Sequence, residues 1–523
     1  MVSAMLSTRG SRRPDGRRAE LVPRWVRSAA SVFVALFMVV GACTLTPSAP
    51  TPTPTPATAG GTLRVAIAAQ AAALDPWADD ASLVATRQIF ETLVEVDPAT
   101  SRITPGLASS WQMANDGGSW TFTLRDGVRF QDGSALDAAA VVASIERGRT
   151  MGASAYRTLF GDPSAIVGIQ AVGARTVRFD LRTPFGPFLA HLAAPQTAIA
   201  RASSGTGPFV ASPGALAADG TLTLRRNDSY WGRDASGKQL PYLDGLVFRP
   251  MRDAASRLAE LRAGRAEVAL ELPIAQASSA RSDPSLVVSP RKDAALASLG
   301  IDASVAPFDR PEARRAVAMA VNRNALSAVY AGTSRPATQV VPPGSLGYDD
   351  SVIEFAPLDV DAARKALADA HIATPISAEI AYPNAPTAAY PDPQRIAQSI
   401  AADLGKIGIV ARLRSVDPTA MRGAGATFSL DTTVLGLDPD DVFWPLYGLD
   451  DPSGMSLIVG LVRTARAEAD PTKRAELYKQ VSKIARADAL RVPLIFADTP
   501  NATTARLVGY SGIEYFGTVW LRP

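Results

Sequence analysis

Helix and strand patterns alternate along the second half of this sequence, and that order restricts the possible folds more than any other feature. Residues 376–382 predict a strand, and amphipathic stretches at 361–370 and 393–407 lie on either side of it. A strand, a helix and a second strand in succession form a βαβ unit, which builds a sheet covered by helices. The same patterns recur as helices at 254–263 and 313–330 and as strands at 286–288, 297–301 and 409–414. The sequence therefore predicts an α/β fold.

The first part of the chain predicts shorter strands joined by tight turns. Residues 63–68 are mostly apolar and predict a strand, whereas 84–94 predict a helix. In 119–125 three apolar residues alternate with polar ones, which is the period of a strand with one buried face. An Asp-Gly pair follows this strand and another follows the next strand, at 128–130, and such pairs favour hairpin turns. We expect a region rich in hairpins.

A basic leader and a short apolar run open the sequence. Residues 29–40 are uncharged and apolar, they follow seven arginines, and the small residues Gly41 and Ala42 close the run. This order is typical of a secretory signal. The run is shorter than the roughly 18 apolar residues that a membrane-spanning helix needs. We therefore interpret residues 1–42 as a signal peptide.

Cys43, the only cysteine of the sequence, follows the signal directly. With Val40, Gly41 and Ala42 before it, it resembles the lipobox of bacterial lipoproteins, whose cysteine carries a diacylglycerol and becomes the first mature residue. Two acyl chains anchor a protein durably. A buried structural thiol, or a chance cysteine after an ordinary signal, are the alternatives. Cys43 is our predicted lipidation site, followed by a linker up to residue 61 that is rich in Pro and Thr and is either extended or disordered.

Charge and length exclude some classes of protein. The whole chain has 53 basic and 50 acidic residues, and the leader alone holds seven of the basic and two of the acidic ones. The remaining chain is therefore slightly acidic and lacks the strongly basic face of a nucleic-acid-binding protein. About 480 residues remain after the signal, and single hydrophobic cores stop growing at about 250 to 300 residues. At least two lobes are expected.

A series of motifs runs along nearly the whole mature chain. The longest is SWTFTLRDGVRFQDGS at 119–134. The others are LDP at 74–76, FETLV at 90–94, ITPGLASSW at 103–111, GTGPF at 205–209, NDSYW at 227–231, PYLDGL at 241–246, PFD at 307–309 and RVPL at 491–494. In this order they resemble the family 5 extracellular solute-binding proteins, the dipeptide, oligopeptide and nickel receptors of ABC importers. Their aromatic and glycine residues also have structural roles, so the motifs indicate the scaffold rather than the ligand.

The resemblance implies a two-lobe periplasmic-binding-protein fold of class II, with an extra inserted subdomain and two hinge strands. It divides the chain into a first lobe at 62–96, 206–298 and 493–523, the inserted subdomain at 97–205, a second lobe at 299–492, and hinge strands at 297–303 and 492–497. The ligand is expected between the lobes, where it favours the closed form by touching both.

The ligand site departs from the peptide-binding pattern of that family. Its members often carry a carboxylate three residues before an Asp-Pro pair, where it pairs with the ammonium of the peptide, and a tryptophan nearby. Here Leu435 and Thr432 occupy these two positions. Because an unpaired ammonium is costly to bury, either another group anchors it or the ligand lacks a free amine. The candidate substitutes are Asp431, Asp438, Asp440 and Asp441, although a surface turn also explains the last two.

Aromatic residues and the segment after the LDP motif complete the predicted site. Phe443, Trp444 and Tyr447 could line the cleft or belong to the core. The segment after LDP faces the cleft in the family. The predicted ligand-binding residues are Trp77, Asp79, Asp80, Ser82, Asp431, Thr432, Asp438, Trp444 and Tyr447.

Enzyme chemistry is poorly supported by the sequence. His191 and His371 are the only histidines, and neither lies in a nucleophile motif. His191 is better explained as a satisfied core or surface residue. A lone cysteine excludes cysteine-rich zinc sites, and no Walker sequence is present. We expect no catalytic residue, metal or cofactor, although the carboxylate pair of a cell-surface hydrolase is recognised by geometry and stays an alternative.

The predicted protein is a monomeric, lipid-anchored receptor on the outer face of a cytoplasmic membrane. It would capture a small ligand, a short peptide first of all, and deliver it to ABC permease and ATPase subunits, without nucleic acid. A receptor for a nickel chelate, a sugar or an opine, and a scaffold or sensor that has lost transport, are the alternatives.

Overall fold

The computed structural model describes residues 57–71, 73–78, 83–97, 102–161, 164–351, 358–448 and 456–522. The predicted signal peptide, Cys43 and most of the linker lie outside these residues. Within the described ranges, no helix is both long and apolar enough to cross a membrane.

A first sheet of seven strands forms around the strand that begins the described fold, Thr62–Ile67. This strand is apolar and buried, and it pairs in parallel with Gly245–Pro250 on one side and Val268–Ala269 on the other. Across the sheet the order is Leu286–Val288, Ala502–Thr504, Val268–Ala269, Thr62–Ile67, Gly245–Pro250, Leu222–Arg226 and Phe209–Val210.

A second sheet of six strands contains the βαβ unit that the sequence predicts. Ile376–Pro383 and Ile409–Val416 pair in parallel, and the helix Pro393–Gly405 connects them. The apolar side of this helix packs on the sheet, where Ile396, Ile400 and other residues of the largest core cluster are buried. The order across the sheet is Ser334–Pro336, Arg491–Thr499, Arg291–Ile301, Phe428–Val434, Ile376–Pro383 and Ile409–Val416.

A separate four-stranded antiparallel sheet forms the hairpin-rich region. Its core is aromatic: Phe122, Phe179 and Phe188 are fully buried and their rings contact one another. The strands lie in the order Ala108–Met113, Ser119–Leu124, Thr176–Leu181 and Ile166–Gly173.

The remaining elements are helices and two small ladders. Aspartates cap several helices, as Asp359 does by accepting a hydrogen bond from the amide of Ala362. The two ladders pair Val94–Val96 with Ile103–Pro105 and Leu507–Val508 with Trp520–Leu521. The α-helices are Leu83–Ile89, Ala138–Thr150, Ser154–Phe160, Phe188–His191, Ala254–Arg262, Ile274–Arg281, Pro311–Ala320, Arg323–Ala328, Val360–Asp369, Pro393–Gly405, Asp440–Phe443, Ser456–Ala467 and Pro471–Asp488, with 3₁₀ turns at Pro195–Thr197 and Pro418–Gly423 and a π turn at Trp444–Gly448.

The chain passes between the two large sheets at two places. It leaves the first sheet after Leu286–Val288 and enters the second at Arg291–Ile301. It returns from Arg491–Thr499 to Ala502–Thr504. Two short connections, 289–290 and 500–501, therefore link these sheets along the described chain.

Three predicted elements differ from the structure. The helix expected at 84–94 ends at Ile89, because the Ile89 carbonyl accepts a hydrogen bond from the amide of Gly207 at 2.9 Å and the chain then continues into a strand. The helix expected at 313–330 is two helices, since Val321 is extended and Asn322 caps the second one. The strand expected at 128–130 forms only an isolated bridge, at Arg129.

Candidate functional site

A cavity of about 3250 Å³ opens where the three sheets approach one another. Its lining includes Glu271, which follows a strand of the first sheet, Asp431 on a strand of the second, and Trp120 on the small sheet. Five of the nine predicted ligand-binding residues line it: Asp431, Thr432, Asp438, Trp444 and Tyr447.

Asp431 lies on the strand Phe428–Val434 and is paired with a cation. Its carboxylate accepts a hydrogen bond from Arg491 at 2.5 Å, and both side chains are about one quarter exposed or less. Gly300, diagonally across from Asp431 on the neighbouring strand, leaves room for this carboxylate, because a Cβ there would lie 2.4 Å from Asp431 Oδ2. Thr432, the next residue, is exposed. The negative charge of Asp431 is therefore neutralised by Arg491 before any ligand binds.

Asp438 and Asp440 are also paired, in the interior beside the cavity. Arg474 donates to both oxygens of Asp438, one of them at 2.6 Å, and both side chains are buried. Arg466 forms an ion pair with Asp440. Burial raises the pKa of Asp440 to about 6, although the charge of Arg466 opposes this shift. The sequence interpretation of Asp440 as a surface turn is wrong, because only 2% of the residue is exposed.

Asp441 pairs with His191, which lies 250 positions earlier in the chain. His191 is buried, as the sequence interpretation of a satisfied core histidine allows. Its Nδ1 lies 2.5 Å from the carbonyl oxygen of Leu159, and its Nε2 lies 2.9 Å from Asp441 Oδ1. Both partners are acceptors, so both ring nitrogens donate and the ring is an imidazolium.

Electrostatics agree with a charged His191. Burial alone would lower the pKa of His191, but the hydrogen bond to Asp441 and the charges of Asp441, Asp438 and Asp440 outweigh it and leave that pKa raised. Burial acts to raise the pKa of Asp441, yet His191 holds that pKa below its ordinary value. Each of the four candidate aspartates thus has a cationic partner.

The aromatic residues divide between the cavity wall and the core. Trp444 lines the cavity, and the Arg466 guanidinium stacks on its ring, 4.1 Å from the centroid. Tyr447 lines the cavity as well, although it is mostly buried. Phe443 belongs to the core, where its ring stacks on Tyr478 at 4.8 Å.

Trp77 does not lie at the cavity. Its ring is buried against Tyr156, and its indole nitrogen donates to the carbonyl of Ser144 at 3.2 Å. The prediction of Trp77 as a ligand contact is therefore wrong for this conformation, because the small-sheet core encloses the side chain. Asp79, Asp80 and Ser82 lie outside the described residues.

Sequence reasoning missed several polar residues of the cavity lining, among them Glu271, Arg466 and Arg491. A signal for Arg491 was present, since it opens the RVPL motif. Glu271 and Arg466 belong to no motif, and only the fold brings them here. Among the described residues there is no group of three or more His, Cys, Asp or Glu side chains that could hold a metal ion.

Comparisons with known proteins agree with this architecture. The model of the bacterial extracellular solute-binding proteins, family 5, matches residues 102–456. The dipeptide-binding protein of Escherichia coli is 28% identical over 443 residues, covering 76% of this chain and 81% of that protein. Heme-binding protein A of Haemophilus influenzae is 26% identical over 472 residues, covering 81% of this chain and 84% of that protein. The solved structure of HbpA2 from Haemophilus parasuis has a TM-score of 0.79 at 24% identity, covering 88% of this chain and 100% of that chain.

These comparisons confirm the predicted α/β fold of the periplasmic-binding-protein type. They also confirm the prediction of a binding protein rather than an enzyme, because the matching family consists of extracellular solute receptors and its model covers more than half of the chain. The chain belongs to the bacterial extracellular solute-binding proteins of family 5.

Proposed function

We propose that this protein captures a short peptide outside the cytoplasmic membrane and delivers it to the permease of an ABC importer. The observation that carries the proposal is the cavity of about 3250 Å³ bordered by all three sheets. Pockets that enclose a small molecule usually measure about 300 to 1,000 Å³. A cavity of several times that volume is an open cleft, which has to close before it can surround a small solute.

Closure around a hinge is supported by the two short connections at 289–290 and 500–501. Because these two short connections link the large sheets along the described chain, a ligand that touches both sides can draw them together. In this proposal the first lobe comprises 62–96, 206–290 and 500–523, the second comprises 291–499, and 97–205 are inserted in the first. The boundaries expected from the sequence, after 298 and after 492, move because the strands Arg291–Ile301 and Arg491–Thr499 both belong to the second sheet.

The state of the histidines gives no support to a heme held by a histidine. Both ring nitrogens of His191 are already hydrogen-bonded, and His371 does not line the cavity. Neither histidine is therefore available in the cleft as an axial ligand to iron. The similarity to a dipeptide-binding protein supports the peptide assignment. Binding of a nickel chelate, a sugar or an opine in place of a peptide would be another outcome of the test below.

The mature protein is proposed to be a monomer that is held at the outer face of the membrane by a diacylated Cys43. ATP hydrolysis would belong to partner subunits. The Cys43→Ala variant should leave the membrane fraction and appear in the medium or periplasm, whereas a variant with Ala at Ser48 should stay. Retention of Cys43→Ala in the membrane fraction would contradict the anchor.

The ligand is tested by thermal shift followed by calorimetry on the chain from residue 57 onward. The probes are Ala-Xaa dipeptides, glutathione, heme, a nickel chelate and a sugar mixture. A ligand that binds only the folded state raises the melting temperature by mass action. We expect the dipeptides to raise it and to be recovered intact, and Trp444→Leu to weaken binding more than Tyr382→Leu, which replaces an aromatic residue away from the cavity lining. No shift with any peptide would refute the proposal.

A further inference from the structure

Glu271 has a backbone conformation that a glutamate adopts only at a cost. Its φ is +54°, in the left-handed region, where a side chain with a Cβ is about 1 to 2 kcal/mol less stable than in the right-handed region. Among the described residues, four other non-glycine residues have positive φ: Ala331, His371 and Ala489 follow helices and Ala202 lies in a turn. Glu271 instead follows a strand, Val268–Ala269.

The backbone of Glu271 is held in this conformation by two buried side chains. Its amide donates to Asn501 Oδ1 at 2.9 Å, and its carbonyl accepts from Arg257 Nη2 at 2.8 Å. Asn501 is fully buried and Arg257 is 2% exposed. The neighbours Leu270 and Leu272 are both buried, so the strained residue is the one that faces the cavity.

Among the described residues, the carboxylate of Glu271 acts on the buried guanidinium of Arg257 through its charge, without a hydrogen bond between the two side chains. Glu271 is exposed, and within the described part of the chain its side chain has no hydrogen bond and no ion pair. The aspartates across the cleft differ, because each is neutralised by its own cation. The pairs are Asp431 with Arg491, Asp438 with Arg474, Asp440 with Arg466, and Asp441 with His191. Their charges cannot serve a ligand without breaking an ion pair.

A glycine at this position would remove the backbone cost, so the presence of a glutamate indicates that its side chain is used. We propose that Glu271 is the anchor for a cationic group of the ligand, the ammonium of a peptide. This inference rests on the proposed function and names the charge that the cleft recognises. Leu435, which lies in the wall across the cleft, then meets an uncharged part of the ligand.

The test compares Ala-Xaa dipeptides with the same dipeptides N-acetylated, on the wild type and on Glu271→Gln. A charge-assisted hydrogen bond corresponds to about 10-fold to 100-fold in Kd. We expect the wild type to bind the free peptides at least about 10-fold more tightly than the acetylated ones. Glu271→Gln should lose this difference and bind the acetylated peptides as the wild type does. Asp361→Asn, which removes an exposed carboxylate away from the cavity lining, should change both affinities by no more than about twofold.

Glu271→Gly separates a binding role from a structural one. It should weaken binding of the free dipeptides while leaving the melting temperature of the unliganded protein unchanged or higher, because the backbone strain is relieved. A lower melting temperature would mean that Glu271 supports the fold and would overturn the inference. So would free peptides that bind Glu271→Gln as tightly as the wild type, an outcome that leaves the proposed function intact. If the wild type binds no peptide, the proposed function itself fails and the anchor fails with it.

Discussion

The pair formed by His191 and Asp441 is expected to be a pH-dependent contact between distant parts of the chain. His191 follows the small sheet and is almost fully buried, and Asp441 lies in the short helix Asp440–Phe443, directly before Trp444 in the cavity wall. Substituting Phe for His191 keeps an aromatic ring between Phe160 and Phe185 but removes the charge. Asp441 then loses its cationic partner.

The magnitude follows from the burial of the two groups. Removing one partner of a buried ion pair costs about 3 to 5 kcal/mol. The Asp441 side chain is 25% exposed and its Oδ2 also accepts from the amide of Asp438, so water and this amide compensate part of the loss. We expect His191→Phe to lower the free energy of unfolding by about 2 to 3 kcal/mol. In the double variant with Asp441→Asn the cost should be smaller than the sum of the two single costs.

The pH dependence has a definite sign. The pKa of His191 is raised in the folded protein, above its ordinary value of about 6.5 in the unfolded chain. The stabilisation from His191 is therefore complete below about pH 6.5 and is lost as the pH rises through the folded pKa. The protonation of His191 is followed by NMR titration of its ring protons. The prediction is refuted if His191 titrates below its ordinary value of about 6.5, or if wild type and His191→Phe lose stability equally between neutral and alkaline pH.

Two further substitutions test the packing around the site, and a third tests a buried carboxylate away from the cavity lining; all three are followed by thermal unfolding. Gly300→Ala places a Cβ 2.4 Å from Asp431 Oδ2, so we expect a loss of about 1 to 3 kcal/mol, and an unchanged melting temperature would contradict this geometry. Asp438→Asn leaves the buried Arg474 without its carboxylate and should cost about 3 to 5 kcal/mol, whereas a neutral result would show that the pair is not buried. Burial raises the pKa of Glu91 to about 7. The free energy of unfolding should therefore fall as the pH rises from about 4.5 through 7, because the buried carboxyl loses its proton. Glu91→Gln should remove this part of the pH dependence, and an identical slope in the variant would refute the prediction.

Local patterns in the sequence were sufficient for much of the fold. The βαβ unit around Pro393–Gly405 was predictable because its apolar residues repeat with the periods of a helix and of strands. The predicted helix at 84–94 ended early because its terminating hydrogen bond comes from Gly207, more than 100 positions away. Such a partner leaves no trace in local periodicity.

The site was predictable in outline but not in its charges. Five of the predicted residues, between Asp431 and Tyr447, line the cavity, and their role in ligand binding stays a prediction. That His191 neutralises Asp441, or that Arg474 neutralises Asp438, depends on contacts across 250 and 36 positions. Glu271 was overlooked because its distinguishing feature is a backbone angle, which a sequence does not display.

The central claim is that two hinged halves of this chain close on a solute. Small-angle X-ray scattering of the chain from residue 57 onward, without ligand and with saturating Ala-Xaa dipeptides, tests it most directly. We predict a smaller radius of gyration with the peptides, together with the loss of the open cavity from the fitted shape. Saturable binding of the peptides with an unchanged radius of gyration would contradict the account.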